Sequence, residues 1–568
     1  MSSFDVVVVG LGPTGLVLAH TLGMRGVRVL VLEREREFYG NARAVYTDGE
    51  CMRIFQSIGM ADRLLEDMIE DVPVQMTLPD GRCLATMMNG DRPHGWAVSQ
   101  FFYQPFLETA LADGLAKYPN VCVLRGREVV RFEQDEEGVD VVHASSSAGD
   151  EEAVRARYLV GADGGRSTVR TRLGIKMTGR SFPNPWLVVD IKAKQGQEGL
   201  RHVPYFAFVC DPDCPTVNCV QPQGHHRFEF MLAPGQTKEY MEDPATVRKY
   251  LSRYVDVDRF DILRKLVYTF NALVADRWRD GRVLLAGDAA HMTPQFVGQG
   301  MNAGVRDAHN LGWKLHAVLE GRASDRLLDT YESERRPHAE AMIREGVRMK
   351  NFVSVANPWM AALRNGLART ALRLPLIGPA IRKGDFIPKP AYPKGRYFGL
   401  ARRRLWGPEG RLMPQPMVRA SDGRRHRLDD ALDRGFILLG ADVDPRASLS
   451  AAERARCRAL GLRCAVMYPW GGRPHGRNVE RLWSEDLVEL EDISGEWFRW
   501  LRHGGVGSGD VLLLRPDRFV FGAVPAAGLA KAIQRLSSEL GTTIAPPARA
   551  QITAADETSC PLQPRSHA

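Results

Sequence analysis

The sequence predicts a mixed α/β (α+β) protein: a Rossmann-like dinucleotide-binding domain with an inserted antiparallel sheet, followed by a further small α/β domain. Three observations lead there. Residues 4–33 read as strand, glycine loop, helix, strand and acid. Two later apolar strands, ending at Asp163 and Asp288, each stop at a carboxylate beside glycines. Between them, residues 176–275 hold short strand-like runs separated by turns.

In order along the chain, FDVVVV (4–9) has the continuous apolar character of a strand buried on both faces. Gly10-Leu11-Gly12-Pro13-Thr14-Gly15 follows at once and opens a helix over 16–24, and a strand over 27–32 ends at Glu33. In such a unit the first glycine makes the turn, the second admits a pyrophosphate to the backbone, and the third lets helix and strand pack closely. Glu33 then stands where an adenosine ribose needs an acceptor. This combination predicts a bound dinucleotide, without saying which.

Asn41-Ala42-Arg43-Ala44 is a small basic loop, and 52–65 has helical spacing. Gln104 lies near the start of a helix over 107–115, where it could simply bond the backbone. Strands are expected over 121–124, 129–134 and 139–144. Residues 158–163 form a strand that ends in Asp163-Gly164-Gly165. The inserted sheet is expected to use 185–192, 205–210, 219–222 and 227–232. Arg227 in the last of these could face solvent or hold an anionic group through its guanidinium fork; His225 and His226 carry the same ambiguity.

The run 282–287 reads as a buried strand stopping at Asp288, where a parallel strand opens onto a ligand crevice. A loop with Pro294, Gly298 and Gly300 leads into helical spacing from Met301 to Val318. Such a helix start offers unpaired N–H groups and the positive end of a dipole. Beyond 345 a helical stretch (349–381) is interrupted by Pro358, Pro375 and Pro379, and 388–417 has a linker's proline and glycine. Strands over 436–439, 465–468, 511–514 and 519–522, with helices over 451–460 and 529–539, make up the last domain.

The net charge of +8, from 76 basic and 68 acidic residues, is dispersed, which argues against a nucleic-acid partner. Nine cysteines form no CxxC, and the Cys210, Cys214, Cys219 cluster lacks a histidine pair at zinc spacing, so no metal is expected. Free thiols, a strand within four residues of the N-terminus and no apolar run near ~20 residues point to the cytoplasm, away from membranes.

GxGxxG, the stretch 161–167 and Gly287-Asp288, in this order and spacing, resemble the three fingerprints of the FAD-dependent aromatic hydroxylases, single-component flavoprotein monooxygenases. YESERRP (331–337) resembles the signature that follows them. The resemblance implies that Gly10, Gly12 and Gly15 receive the FAD pyrophosphate and Glu33 the ribose. It places Arg43 and Gln104 on the pyrophosphate and ribityl regions, Asp163 in the wall between FAD and NAD(P)H, and Asp288 on a ribityl hydroxyl. Gly300, Met301 and Asn302 would offer N–H groups to a ring oxygen, and Pro294 would orient a substrate hydroxyl through its carbonyl. NADH or NADPH would visit as transient reductant, with molecular oxygen as co-substrate and a hydroperoxyflavin as the hydroxylating species.

Within that family, the phrases FEFMLAPGQT (228–237) and LRPDRFV (514–520) resemble those of members acting on phenolic acids, and the resemblance implies a small-molecule substrate of the 3-(3-hydroxyphenyl)propionate or 3-hydroxycinnamate type, whose carboxylate Arg227 would hold. The product would be a catechol, in aromatic-compound catabolism. Hydroxylation of another phenol, polyketide tailoring, a flavin module without turnover and a nicotinamide-only dehydrogenase stay open; a halogenase's WxWxIP stretch is absent. The expected domains are FAD-binding 1–175 and 276–345, substrate-binding sheet 176–275, helical segment and linker 346–417, a thioredoxin-like domain 418–542 and a disordered tail 543–568. A homodimer is the candidate assembly.

Overall fold

The computed structural model describes residues 3–38, 43–87, 90–145, 150–197, 200, 206–402, 404–474 and 487–541. Asn41, Ala42 and the tail 543–568 lie outside them. Strands Val283–Leu285, Glu151–Gly161, Ser3–Val9, Val29–Glu33 and Val121–Arg125 lie side by side in that order, all parallel, within an eight-stranded sheet. Their apolar runs are buried, as a sheet covered on both faces requires. Because the strands run one way, Gly10, Glu33, Asp163 and Asp288 all come to one rim, where such sheets open their ligand crevice.

Helices Pro13–Gly23 and Gly300–Leu319 pack on each other through glycines. A Cβ on Gly304 would lie 2.1 Å from Thr14 Oγ1, and one on Gly312 would lie 2.5 Å from Thr21 Cγ2. Interior helix glycines cost about 1 kcal/mol each relative to alanine, and here they allow the close crossing. The helix expected over 52–65 is two pieces, Gly49–Ser57 and Ala61–Leu65, parted at Gly59 with φ 71°.

The second large sheet has seven strands, in the order Phe260–Tyr268, Trp186–Ala193, His225–Met231, Thr216–Val220, Phe206–Val209, Val74–Thr77 and Cys83–Met87. Its last two strands come from a part of the chain expected to belong wholly to the nucleotide domain. Leu187, Val189, Phe228 and Phe230 bury one face with Val247 and Leu251 of the helix Pro244–Leu251. Trp186, Val217, Cys219 and Met231 face the other way and pack with Phe296. The edge strand Phe260–Tyr268 alternates half-buried and exposed positions beyond the buried Phe260, and its charged residues mask it in the sequence.

The proline-interrupted stretch resolves into the end of Asp329–Val353, then Pro358–Arg373 and Ile377–Lys383; Pro358 occupies the first turn, where its missing N–H costs nothing. In the last sheet Ile437–Ala441 is parallel to Arg463–Pro469 and antiparallel to Asp510–Leu514, which pairs antiparallel with Val520–Pro525. Leu529, Ile533 and Leu536 of the final helix join the main core, so the two ends of the chain share one interior. Among the described residues, Cys51, Cys83, Cys210, Cys214, Cys219, Cys457 and Cys464 are free thiols. No described helix is long and apolar enough to cross a membrane.

Candidate active site

The first strand turns at Gly10, whose φ of 103° no side chain adopts easily, and a Cβ there would lie 2.5 Å from Ala162 O. A Cβ on Gly15 would sit 2.0 Å from Gly10 O, so the helix can begin there only with glycine. Gly12 is different: nothing lies within 4 Å of its would-be Cβ. It is the helix N-cap and no side chain caps it, leaving its neighbouring N–H groups facing open space. Glu33 accepts from Leu11 N at 2.8 Å and from Glu35 N at 2.9 Å, which fixes its carboxylate beside this loop.

Gln104 Oε1 accepts from both Arg43 N and Ala44 N at 2.6 Å, and its amide donates to Glu108. It thus bonds the backbone, but of a loop sixty residues away, holding Arg43 at the crevice with its side chain exposed. Arg227 braces the same loop by donating to Arg43 O at 2.7 Å. Its expected part as a carboxylate anchor is corrected here. The side chain is 1% exposed and forms a two-point ion pair with Asp190, at 2.7 and 3.1 Å. The fork is spent on a buried partner and neither faces solvent nor reaches for a ligand. Of the adjacent histidines, His225 stacks on Tyr103 at 4.0 Å and His226 lies on the opposite face against Phe228.

Asp163 accepts from Val169 N through one oxygen, while the other is buried without a partner. Burial raises its pKa. Asp288, in the turn Gly287–Ala289, is open to the crevice, yet the protein crowding it raises its pKa too, opposed by His291 and Arg43. The turn is held from behind. Asp307, fully buried, accepts from Gly287 N at 3.1 Å and from His291 Nε2 at 2.6 Å, and it pairs with Arg335 at 2.9 Å.

The helix Gly300–Leu319 also begins without a side-chain cap. Gly300 has only Thr293 O near its would-be Cβ, at 3.9 Å, so the first-turn N–H groups of Gly300, Met301 and Asn302 have room before them. The Asn302 side chain ties the preceding loop, donating to Gly298 O at 2.9 Å and accepting from Thr47 Oγ1 at 2.9 Å. Arg306 braces the approach through Asp48, Glu50 and Gln299. Pro294 is buried, with its carbonyl oxygen over Gly346, where a Cβ would come within 3.3 Å. Next to it Phe296 meets Trp186 and Phe270 edge-on, at 5.1 and 5.4 Å, giving aromatic walls.

Open space over Gly12, two uncapped helix starts and an orphaned Asp163 oxygen fit a flavin dinucleotide laid along the rim. The comparisons agree. A family model described as FAD binding domain matches residues 3–346, and one described as HcaD C-terminal domain matches 410–539. A 3-(3-hydroxy-phenyl)propionate/3-hydroxycinnamic acid hydroxylase of Burkholderia vietnamiensis is 38% identical over 93% of this chain and 94% of its own. The protein of that name from Escherichia coli O81 is 35% identical over 95% of both. This chain belongs to the FAD-dependent aromatic hydroxylases.

The hydroxylase shares its fold with the flavin-dependent monooxygenase PieE, solved with FAD and substrate (TM-score 0.76, 22% identity, 95% of this chain and 99% of that one). Aklavinone-11 hydroxylase, solved with FAD and aklavinone, is 25% identical with a TM-score of 0.75, over 95% and 99% of the two chains. It is thus an FAD-dependent, oxygen-consuming monooxygenase that draws electrons from NAD(P)H. Sequence reading missed Asp190, Asp307, Arg306 and His291 as supports of its site. The adjacent charges Arg306 and Asp307, both buried within the helix Gly300–Leu319, were the available signal for two of them.

Proposed function

We propose that this hydroxylase acts on a phenol carrying a short carboxylate side chain, of the 3-(3-hydroxyphenyl)propionate or 3-hydroxycinnamate type, and adds a hydroxyl ortho to the existing one, yielding a catechol. The observation that carries this reading is kinship of 35–38% identity, over nearly the whole of both chains, with hydroxylases of those names. Bound FAD, once reduced, supplies the oxygen activation that side chains cannot.

The chain's residues do the rest. The loop of Gly10, Gly12 and Gly15 takes the pyrophosphate on backbone N–H groups, and Glu33 takes the ribose. Arg43, held by Gln104, neutralises phosphate charge. Asp288 accepts from a ribityl hydroxyl, and Asp163 lines the side from which the nicotinamide approaches. The N–H groups of Gly300, Met301 and Asn302 stabilise negative charge on the ring oxygen. Trp186, Phe270 and Phe296 exclude water and hold the substrate ring, and the Pro294 carbonyl orients its hydroxyl. The same reading keeps the domain boundaries given by the sequence except that strands Val74–Thr77 and Cys83–Met87 join the substrate sheet, with a thioredoxin-like last domain supported by its strand order. It also places the enzyme in the cytoplasm, with a small-molecule partner and no nucleic acid, as a homodimer.

The test is NAD(P)H oxidation by the FAD-loaded protein with and without 3-(3-hydroxyphenyl)propionate, measuring catechol and peroxide. Catechol matching the NAD(P)H consumed supports the substrate. Stimulated oxidation yielding peroxide alone rejects it in favour of another phenol or a larger polyketide.

A further inference from the structure

We propose that Glu229 is the proton acceptor of this hydroxylase, its carboxylate taking the proton of the substrate's phenolic hydroxyl. The inference rests on the phenol-hydroxylating reading above. Glu229 sits mid-strand in His225–Met231, opposite Val188 on one side and Val217 on the other. Strand alternation puts it on the same face as Arg227 and Met231, and as Trp186 on the next strand. That face looks toward the flavin crevice at both ends. Arg227 reaches Arg43 O at 2.7 Å, and Trp186 meets Phe296, two residues from Pro294, at 5.1 Å. Glu229 therefore stands between the loop that holds the cofactor and the loop that faces the substrate.

Its side chain is 6% exposed. Arg227 and Arg264 act on its carboxyl as charges at a distance, and no hydrogen bond to it contributes. Arg227, one strand position away, is fully engaged with Asp190 and Arg43. The Glu229 oxygens are not among the fully enclosed unpartnered atoms, so the carboxyl keeps an opening through which a ligand can reach it. The group that completes a carboxylate is a donor, and a phenol hydroxyl is one; a substrate carboxylate is not.

The charged and titratable groups facing Glu229 are Arg227 on its own strand, Asp190 and Arg264 on the two strands beyond, and the Cys219 thiol on the other side. Burial pushes the Glu229 carboxyl up to about 7, with Arg227 and Arg264 pulling down and Asp190 pushing up. A base of that strength gains and loses its proton in the range where such an enzyme works. In the step itself the phenolic O–H bond breaks and the proton moves to a Glu229 oxygen. The bonding pair stays on the phenolic oxygen, raising electron density at the ortho carbon where the new C–O bond forms.

The experiment compares wild type with Glu229→Gln, which keeps volume and shape, and with Glu229→Asp, which keeps the acid. Each is assayed as FAD-loaded full-length enzyme for catechol formation between pH 5.5 and 9. Glu229→Gln should keep its flavin absorbance and lose roughly 100-fold or more in kcat with little change in KM. It should also lose the rise in kcat near pH 7, and recover activity on ring-fluorinated phenols, which ionise more readily. Glu229→Asp should retain the pH limb at a shifted position. A Glu229→Gln enzyme with unchanged kcat and pH limb overturns the inference, as does a loss equally deep for fluorinated and unsubstituted phenols. A wild type that hydroxylates no phenol overturns the parent reading and this inference with it.

Discussion

The two ends of the helix Gly300–Leu319 are chemically opposite. At its far end, Glu334 takes Lys314 at 2.7 Å and Arg515 at 2.6 and 2.9 Å, while Arg515 also pairs with Asp517 at 2.6 Å. Asp517 in turn accepts from Trp313 Nε1 at 3.0 Å. Lys314, Glu334 and Arg515 are all 0% exposed, and each charge has its counter-charge. At the near end, the helix start has no cap, Asp288 faces the crevice, and an oxygen of Asp163 has no partner. Matched polar groups in a protein interior hold a fold together; unmatched ones wait for a ligand. The far end is a strut joining the last domain to this helix, and the near end is the cofactor site in the function proposed above.

The contrast can be broken at either end, and the largest effect belongs to the strut. Glu334→Ala strands two buried cations and should cost about 3–5 kcal/mol of stability, read by denaturant unfolding. Its neighbours hold the Glu334 carboxyl down to about 2, through Arg515 and Lys314 against burial. A depressed carboxyl stabilises the fold above its unfolded pKa, so this contribution should fade as pH falls from about 4.5 toward 2 and be missing in the variant. A native-like acid transition in Glu334→Ala would count against the strut.

Arg227→Ala should destabilise by a similar amount, ~3–5 kcal/mol, by leaving Asp190 buried and alone. Where activity survives, KM for acidic and neutral phenols should change by the same factor; a selective rise for acidic phenols would restore Arg227 as the carboxylate anchor. At the open end, Asp288→Ala should leave the melting temperature of the FAD-free protein within a few degrees of wild type. It should cost about 1.5–3 kcal/mol of FAD binding, at least tenfold in Kd, measured by flavin fluorescence titration.

The division between what could and could not be read from the sequence follows the range of the interactions. The glycine loop was legible residue by residue, because each glycine answers to local backbone geometry: Gly10 to a positive φ, Gly15 to contact with Gly10 itself, Gly12 to space. The rim carboxylates were legible for the same reason, each standing at the end of an apolar strand. Arg227 was misread because HHRFEFM is buried along its whole length, so alternation carries no inside and outside, and its partner Asp190 lies 37 residues away. Gln104 was legible as a backbone-bonding residue, but its target, Arg43 and Ala44, depends on a long-range contact that no local pattern encodes.

The claim that the near end is reserved for a cofactor is tested most directly at Gly12, the one glycine of the loop whose side-chain space is empty. FAD is titrated into FAD-free wild type and Gly12→Val while thermal unfolding is followed. The account predicts that both unfold at closely similar temperatures without FAD, and that only wild type is stabilised as FAD is added. A Gly12→Val protein stabilised by FAD as strongly as wild type would contradict it.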